Sequence, residues 1–148
     1  MRWSPLLVLT ACSFFEPEVG DVAPPIDAGP PISFAADIRP LMDRGNITDP
    51  TGRGCKPCHY STEKVHPGLD ESGLDLSTLG ALRRGGNDTQ RNIIVPYDPD
   101  GSALVQKLYG TFGIGQRMPR DGPPYWTDEE IELVETWIAQ GAKGDDSE

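Results

Sequence analysis

In this 148-residue chain, the residues best suited to carry out chemistry are adjacent in the segment Cys55-Lys56-Pro57-Cys58-His59. Two thiols at this spacing lie about one helical turn apart, so each can add to one of the two vinyl groups of a haem. A histidine directly after the second cysteine then projects beneath the iron as its proximal ligand. The C-x-x-C-H pattern therefore predicts one covalent c-type haem, attached through Cys55 and Cys58 and ligated by His59.

Two chemistries without haem use the same cysteines. One is a Cys55–Cys58 disulfide, and the other is a zinc site formed by Cys55, Cys58, His59 and His66. A thioredoxin-type disulfide is typically preceded by a strand, whereas residues 43–54 contain three Gly and one Pro and predict a loop. A zinc site would require the adjacent Cys58 and His59 to reach one tetrahedral centre, which is a strained arrangement.

A haem of this kind needs a second axial ligand, and the candidates are Met118, His66 and Met42. Met118 lies in a Gly-rich loop and precedes a proline that favours an extended backbone, so this loop is expected to cross the far face of the haem. His66 follows His59 by only seven residues and is expected to be exposed. Met42 belongs to an apolar helix face and is expected in the core. The predicted axial pair is therefore His59 and Met118.

About four short helices are predicted to position these residues. They cover residues 34–42 with Ser33 as N-cap, Ser77 to Arg84, an N-cap at Ser102 to Tyr109, and an N-cap at Thr127 to Gly141. Pro40 should kink or divide the first helix because proline has no N–H. Thr127 and Glu130 have the spacing of a capping box. No segment shows the alternation of a strand, so the predicted fold class is all-α with long loops.

The N-terminus predicts export and lipidation. Arg2 precedes a short apolar segment, and Leu9-Thr10-Ala11-Cys12 resembles the lipobox of bacterial lipoproteins, in which the cysteine is acylated and becomes the mature N-terminus. A lipid on Cys12 would anchor the protein to a membrane in the bacterial periplasm or at the cell surface. The alternative is a buried apolar segment with an incidental cysteine. The predicted domain organisation is a signal peptide (1–11), an acidic Pro-rich tether (12–32), a haem domain (33–144) and an acidic tail (145–148).

The net charge is −10, and the excess of acidic residues lies in the tether and after residue 127. Nucleic-acid binding is therefore disfavoured, because it needs Lys and Arg to replace the counterions of the phosphates. The simplest interpretation of the C-terminal acids is a helix N-terminus favoured by its dipole and a solvated tail. A docking surface for a basic redox partner is the alternative hypothesis.

Residues 33–143 resemble the small monohaem cytochromes c of the planctomycete type. The resemblance is carried, in order, by Phe34 to Met42, Cys55 to His59, residues 73–86, Ile94-Val95-Pro96 with residues 98–104, Arg117-Met118-Pro119, and residues 137–142. It implies the cytochrome c fold around one covalent haem, His59 and Met118 as axial ligands, and first and last helices that cross near Phe34 and Trp137. Two features depart from the group: the loop before the haem motif is longer, and its usual Val-Pro-Gly turn is Val95-Pro96-Tyr97.

These residues together predict an electron carrier rather than an enzyme. With His59 and Met118 both bound, the iron changes oxidation state without binding a substrate. The expected partners are redox proteins and, through the lipid, a membrane. Two alternatives stay open: a haem enzyme or gas- or peroxide-reactive protein in which Met118 is displaced, and a structural lipoprotein without haem that contains a Cys55–Cys58 disulfide.

Overall fold

The computed structural model describes residues 29–45, 53–120 and 122–148, and within these ranges the chain is helical with no strand. The all-α class is thus confirmed. The helices are α1 (Arg39–Met42), α2 (Lys56–His59), α3 (Pro67–Ser72), α4 (Leu79–Arg84), α5 (Ala103–Tyr109) and α6 (Asp128–Ala139). A π-helical turn, Phe34–Ile38, leads into α1, and a 3-10 turn, Gln90–Ile93, follows α4. The predicted number of about four helices was too low because α2 and α3 are too short to show a periodic pattern.

The N-terminal predictions fall outside the described residues. These are the signal peptide, the lipidation site Cys12 and most of the tether. The helices of the described ranges are all too short or too polar to cross a membrane.

The first predicted helix is divided, as the sequence indicated. The Ser33 side chain accepts a hydrogen bond from the backbone N–H of Ala36 (3.2 Å) and so caps the π-helical turn. The Arg39 N–H then donates to the Phe34 carbonyl, five residues back. Pro40 lies in the first turn of the following helix, α1, where its missing N–H costs no hydrogen bond within the helix.

The first and last helical segments pack through two aromatic rings. Phe34 and Trp137 are almost fully buried, and their ring centroids lie 5.2 Å apart. The Trp137 indole N–H also donates to the Lys143 carbonyl (2.9 Å), which satisfies its polar atom inside the core. The predicted contact of these two residues is confirmed. Met42 is also buried in this core, as expected.

The C-terminal tail packs by its backbone against the start of α4. The carbonyls of Glu148 and Asp146 accept hydrogen bonds from the N–H groups of Leu79 (2.6 Å) and Gly80 (3.0 Å). Thr78 caps the same end through the N–H of Ala81 (3.1 Å), so α4 begins two residues later than predicted. Residues 145–147 are exposed, as expected for a solvated tail, and the carbonyls of Asp146 and Glu148 in addition satisfy N–H groups that the helix leaves unpaired.

The end of the predicted tether is also bound to the folded part. The Gln140 side chain accepts a hydrogen bond from the Ile32 N–H (2.8 Å) and donates one to the Pro30 carbonyl (3.0 Å). Ile32 packs against the core. The packed part thus includes Pro30 and Ile32, which precede the predicted domain start at residue 33.

Helix α6 begins as predicted. Thr127 and Glu130 form both hydrogen bonds of a capping box, and Glu130 also forms an ion pair with Arg44, which lies just after α1. This acidic residue therefore has a structural role at the helix N-terminus. Gly141, with a φ of +98°, lies just beyond the end of α6.

Ser102 precedes α5 but does not cap it, contrary to the prediction. It is fully buried, and its hydroxyl accepts a hydrogen bond from the Val95 N–H (2.8 Å) and donates one to the Asp98 carbonyl (2.8 Å). The side chain is engaged by the preceding turn and is therefore withdrawn from the helix. Ser102 joins the 95–98 turn to α5.

The turn at residues 95–98 contains Tyr97, the residue at which this chain departs from the Val-Pro-Gly turn of the resembled group. Tyr97 has a φ of +69°, a left-handed conformation that costs roughly 1 kcal/mol for a residue with a Cβ and that glycine adopts freely. Its ring is 72% exposed, and its N–H donates to the Ile138 carbonyl (2.8 Å). The glycine usual at this position in the group is thus the residue that the backbone favours.

Tyr97→Gly is expected to stabilise the protein by up to about 1 kcal/mol, because it removes the strain while the backbone hydrogen bond to Ile138 stays. Urea unfolding of the purified protein measures the difference. Tyr97→Ala is the control, since alanine keeps the strain and loses the ring. A Gly variant no more stable than the Ala variant would contradict this account.

Candidate haem-binding site

The C-x-x-C-H motif forms the short helix α2. The N–H groups of Cys58 and His59 both donate to the Cys55 carbonyl, at 3.2 and 2.9 Å, so the three residues share a single helical turn. Pro57 lies in the first turn, where its missing N–H costs no hydrogen bond. The predicted spacing of the two thiols by one helical turn is therefore present.

Backbone contacts attach α2 to the fold at both ends. The Cys55 N–H donates to the Met42 carbonyl at the end of α1 (2.8 Å), and the Leu76 N–H donates to the His59 carbonyl (2.9 Å). Gly54 lets the chain approach α1 closely, since a Cβ there would lie 2.5 Å from the Met42 carbonyl oxygen. The motif is thus held against α1 on one side and the segment before α4 on the other.

The two cysteines are thiols rather than a disulfide. Burial, followed by the nearby charges of Cys58 and Asp43, raises the pKa of Cys55 to about 12. Redox-active thiols of the thioredoxin type have a lowered pKa, because the thiolate is the attacking species. The shift at Cys55 is thus in the opposite direction to that of a thioredoxin-type attacking thiol.

The His59 ring is oriented by a backbone carbonyl. Its Nδ1 lies 3.1 Å from the Leu74 carbonyl oxygen, and since a carbonyl can only accept, Nδ1 carries the proton and Nε2 has the free lone pair. Burial lowers the pKa of His59, which favours the neutral ring. A neutral imidazole whose other nitrogen donates to a carbonyl is the usual state of a histidine metal ligand.

Helix α3 covers the Nε2 side of this ring. A Cβ built on Gly68 would lie 2.6 Å from His59 Nε2, so no larger residue fits at position 68 without a shift. Sequence reasoning did not predict α3. Its signal was present in Pro67 at the first helical position and Gly73, with a φ of +66°, directly after the last one.

The loop containing Met118 is connected to His59 through α3. Arg120 forms an ion pair with Glu71 of α3 (3.4 Å), and its charge contributes to the lowered pKa of His59. Met118 is half-buried, and its N–H donates to the Lys107 carbonyl of α5 (2.9 Å). Arg120, two residues after Met118, is thus paired with the same short helix that packs against α2.

His66 lies at the start of α3 and is half-buried rather than exposed as expected. Its Nδ1 is 3.0 Å from a carboxylate oxygen of Asp70. Within the described ranges, no three His, Cys, Asp or Glu side chains form a group that could hold a metal ion. The zinc site considered from the sequence, which combined His66 with Cys55, Cys58 and His59, is therefore not formed by this geometry.

A partly buried polar cluster beside Cys55 was missed by sequence reasoning. Tyr60 donates a hydrogen bond to Asp43 (2.7 Å) and accepts one from Arg39 (2.9 Å), which also donates to the Leu76 carbonyl (3.2 Å). Burial and the hydrogen bond to Asp43 raise the pKa of Tyr60, so its hydroxyl stays protonated. Residues spread from position 39 to 76 form this cluster, and no local pattern indicates it.

Comparisons of the chain with known protein families, with curated proteins and with solved structures give no match. The side chains on α2 and their surroundings are therefore what supports a function for this protein.

Proposed function

We propose that this protein is a c-type cytochrome that carries electrons. The observation that carries the proposal is His59: it shares one helical turn with Cys55 and Cys58, and its Nδ1–H is engaged by the Leu74 carbonyl, so Nε2 carries the lone pair that ligates iron. Because Gly68 of α3 lies over Nε2, α3 has to move away from the ring when the haem binds. Cys55 and Cys58 each add a thiol S–H across a vinyl double bond, which forms a thioether with no leaving group. His59 ligates the iron.

Met118 is proposed as the second axial ligand. Arg120, two residues after Met118, forms an ion pair with Glu71 of α3, the helix that also contacts His59. When bound, the haem supplies an iron that alternates between Fe(III) and Fe(II), and a thioether ligand favours Fe(II) and so raises the potential. With protein ligands on both sides, the chain excludes substrate from the iron, which favours electron transfer over catalysis.

A spectrum of the purified protein, produced with a haem-maturation system, tests this proposal. A pyridine haemochrome of the c type, together with a far-red Met-to-Fe(III) charge-transfer band in the oxidised protein, is the expected result. A c-type haemochrome without that band would favour the haem enzyme with an open iron. Absence of haem would favour the structural lipoprotein, in which thiol titration would detect a Cys55–Cys58 disulfide.

We also propose that the protein is exported and anchored by a lipid on Cys12, as its similarity to a lipobox implies. Cys12→Ala is expected to release the protein from the membrane fraction and to leave its haem spectrum unchanged, since the thioether cysteines are far away in sequence. Ser13→Ala is the matched control and should stay membrane-bound. Unchanged membrane association of the Cys12 variant would count against acylation.

A further inference from the structure

A surface cavity of about 390 Å³ is bounded by α4, the 3-10 turn that follows it and the C-terminal tail. Its lining residues are Gly80, Arg83, Arg84, Arg91 and Asp146. Three guanidiniums and one carboxylate give the lining a net charge of +2, although the whole chain has a net charge of −10. Cavities of this size are typical of small-molecule sites. The size and the charge of this cavity therefore suit a small anion.

The backbone between α4 and the 3-10 turn brings Arg84 and Arg91 to the same cavity. Gly85 directly follows Arg84 with a φ of +72°, and a Cβ at this position would lie 1.6 Å from the Gln90 carbonyl oxygen. Only glycine allows so close an approach. The Gln90 N–H also donates to the Gly86 carbonyl (2.8 Å). A fixed turn thus places together two arginines that are seven residues apart in sequence.

Arg83 is held in place on the other side of the cavity. Its guanidinium donates to the Ala142 carbonyl (2.8 Å) and pairs with the Asp146 carboxylate. The Asp146 side chain is 71% exposed, whereas its backbone carbonyl is bound by the Gly80 N–H (3.0 Å). The carboxylate can therefore turn into solvent while the tail stays attached, and Arg83 is then free to bind another anion.

The guanidiniums of Arg84 and Arg91 are exposed and form no hydrogen bond or ion pair with any of the residues that the structure describes. The dipole of α4 favours basic residues in its last turn, but this does not account for Arg91, which belongs to the 3-10 turn. Each guanidinium presents five N–H donors in a planar fork that matches phosphate oxygens in pairs. A phosphate monoester carries close to two negative charges at neutral pH, which balances the lining.

We propose that this cavity binds the phosphate group of inorganic phosphate or of a phosphate monoester. Arg84 and Arg91 donate to its oxygens, and Arg83 joins them when the anion replaces the Asp146 carboxylate. The site contains no residue of the haem motif, so the inference goes beyond the proposed electron carrier and does not depend on it. A lipid headgroup and a soluble phosphate compound present the same chemistry, and the experiment separates these two sources.

Isothermal titration calorimetry of the full chain with inorganic phosphate at about pH 8, where the phosphate is a dianion, tests the site. The protein carries Cys12→Ala throughout, so that no acyl chain contributes to binding. We expect saturable binding of one phosphate per chain. Arg84→Gln and Arg91→Gln should each weaken it by roughly tenfold, because each removes a charge-assisted hydrogen bond. Both side chains are exposed, so circular dichroism should show an unchanged helix content.

Matched variants separate the cavity from a general effect of charge. Lys64→Gln removes one exposed positive charge outside the cavity and should leave the affinity unchanged. Asp146→Asn should strengthen phosphate binding, because it removes the carboxylate that competes for Arg83. Glu132→Gln removes an exposed carboxylate of α6 and should have no such effect.

Sedimentation with vesicles identifies the source of the phosphate group. The vesicles contain phosphatidylcholine with phosphatidic acid, and vesicles of phosphatidylcholine alone are the blank. Vesicle binding that is lost in the double variant Arg84→Gln Arg91→Gln supports the site and assigns it to a lipid headgroup. Binding of inorganic phosphate without vesicle binding supports the site and assigns it to a soluble phosphate compound.

Two outcomes would overturn the inference. The first is that the chain shows neither saturable phosphate binding nor vesicle binding that the double variant loses. The second is a general charge effect, in which K64Q weakens binding as much as R84Q and R91Q, or E132Q strengthens it as much as D146N. A protein without covalent haem would remove the proposed function and leave these measurements unaffected, so the two failures are distinguishable.

Discussion

Replacing both Cys55 and Cys58 with serine is expected to abolish covalent haem completely, and each single replacement should prevent a stable holoprotein. The two thiols share one turn of α2, which is bound to α1 through the Cys55 N–H and the Met42 carbonyl. Serine can form the same backbone hydrogen bonds, so the loss is chemical: a hydroxyl does not form the thioether. Haem staining of a denaturing gel measures the result.

Lys56→Ala is the matched control for the cysteine variants. Lys56 lies on the same turn, between the two thiols, and its side chain is exposed in a 3.8 Å ion pair with Glu63 that contributes little to stability. This variant should stain like the wild type. Normal staining of the double serine variant would show that the haem, if present, is held by other means.

Replacing Met118 with alanine is expected to leave one coordination position of the haem iron without a protein ligand. The variant should lose the far-red thioether band, have a lower potential, and bind carbon monoxide or cyanide stoichiometrically where the wild type binds neither. The physical reason is that water or a stray donor in place of the thioether stabilises Fe(II) less well. Absorption spectra of the oxidised and reduced protein, with and without the added ligand, measure all three changes.

His66→Ala separates the two candidate distal ligands. His66 lies at the start of α3, 3.0 Å from the Asp70 carboxylate, so its loss should affect this local pair and leave the haem spectrum unchanged. A spectrum altered by H66A but not by M118A would make the ligand a second imidazole. The potential of the wild type should then be low, and the assignment of Met118 would be wrong.

The sequence alone determined the features that depend on neighbours along the chain. The thiols of Cys55 and Cys58 share one turn because their spacing equals one turn of helix. The caps at Ser33 and Thr127 form because a hydroxyl reaches an N–H three residues on. The predicted end of α5 at Gly110 is confirmed by its left-handed φ of +79°, which favours glycine.

Local sequence patterns gave wrong or incomplete predictions where a group outside the pattern binds the same polar atoms. Ser102 stands where a helix cap is expected, but the turn at residues 95–98 takes its hydroxyl. The acidic tail looks solvated in sequence, yet its carbonyls bind the first N–H groups of α4. The groups that bind the Ser102 hydroxyl lie four and seven residues before it, outside the helix that its capping pattern describes. The N–H groups that bind the tail carbonyls are far away in sequence, so only the folded chain brings them together.

The surroundings of the candidate site were decided by tertiary structure. The Leu74 carbonyl orients His59 across 15 residues, and the Trp126 indole holds the Arg53 backbone across 73. No sequence period connects such positions, because they meet only when α2, α3 and the start of α6 pack together. The sequence thus determined which atoms of α2 can react, while the packing decided which nitrogen of His59 carries the proton and which carries the lone pair.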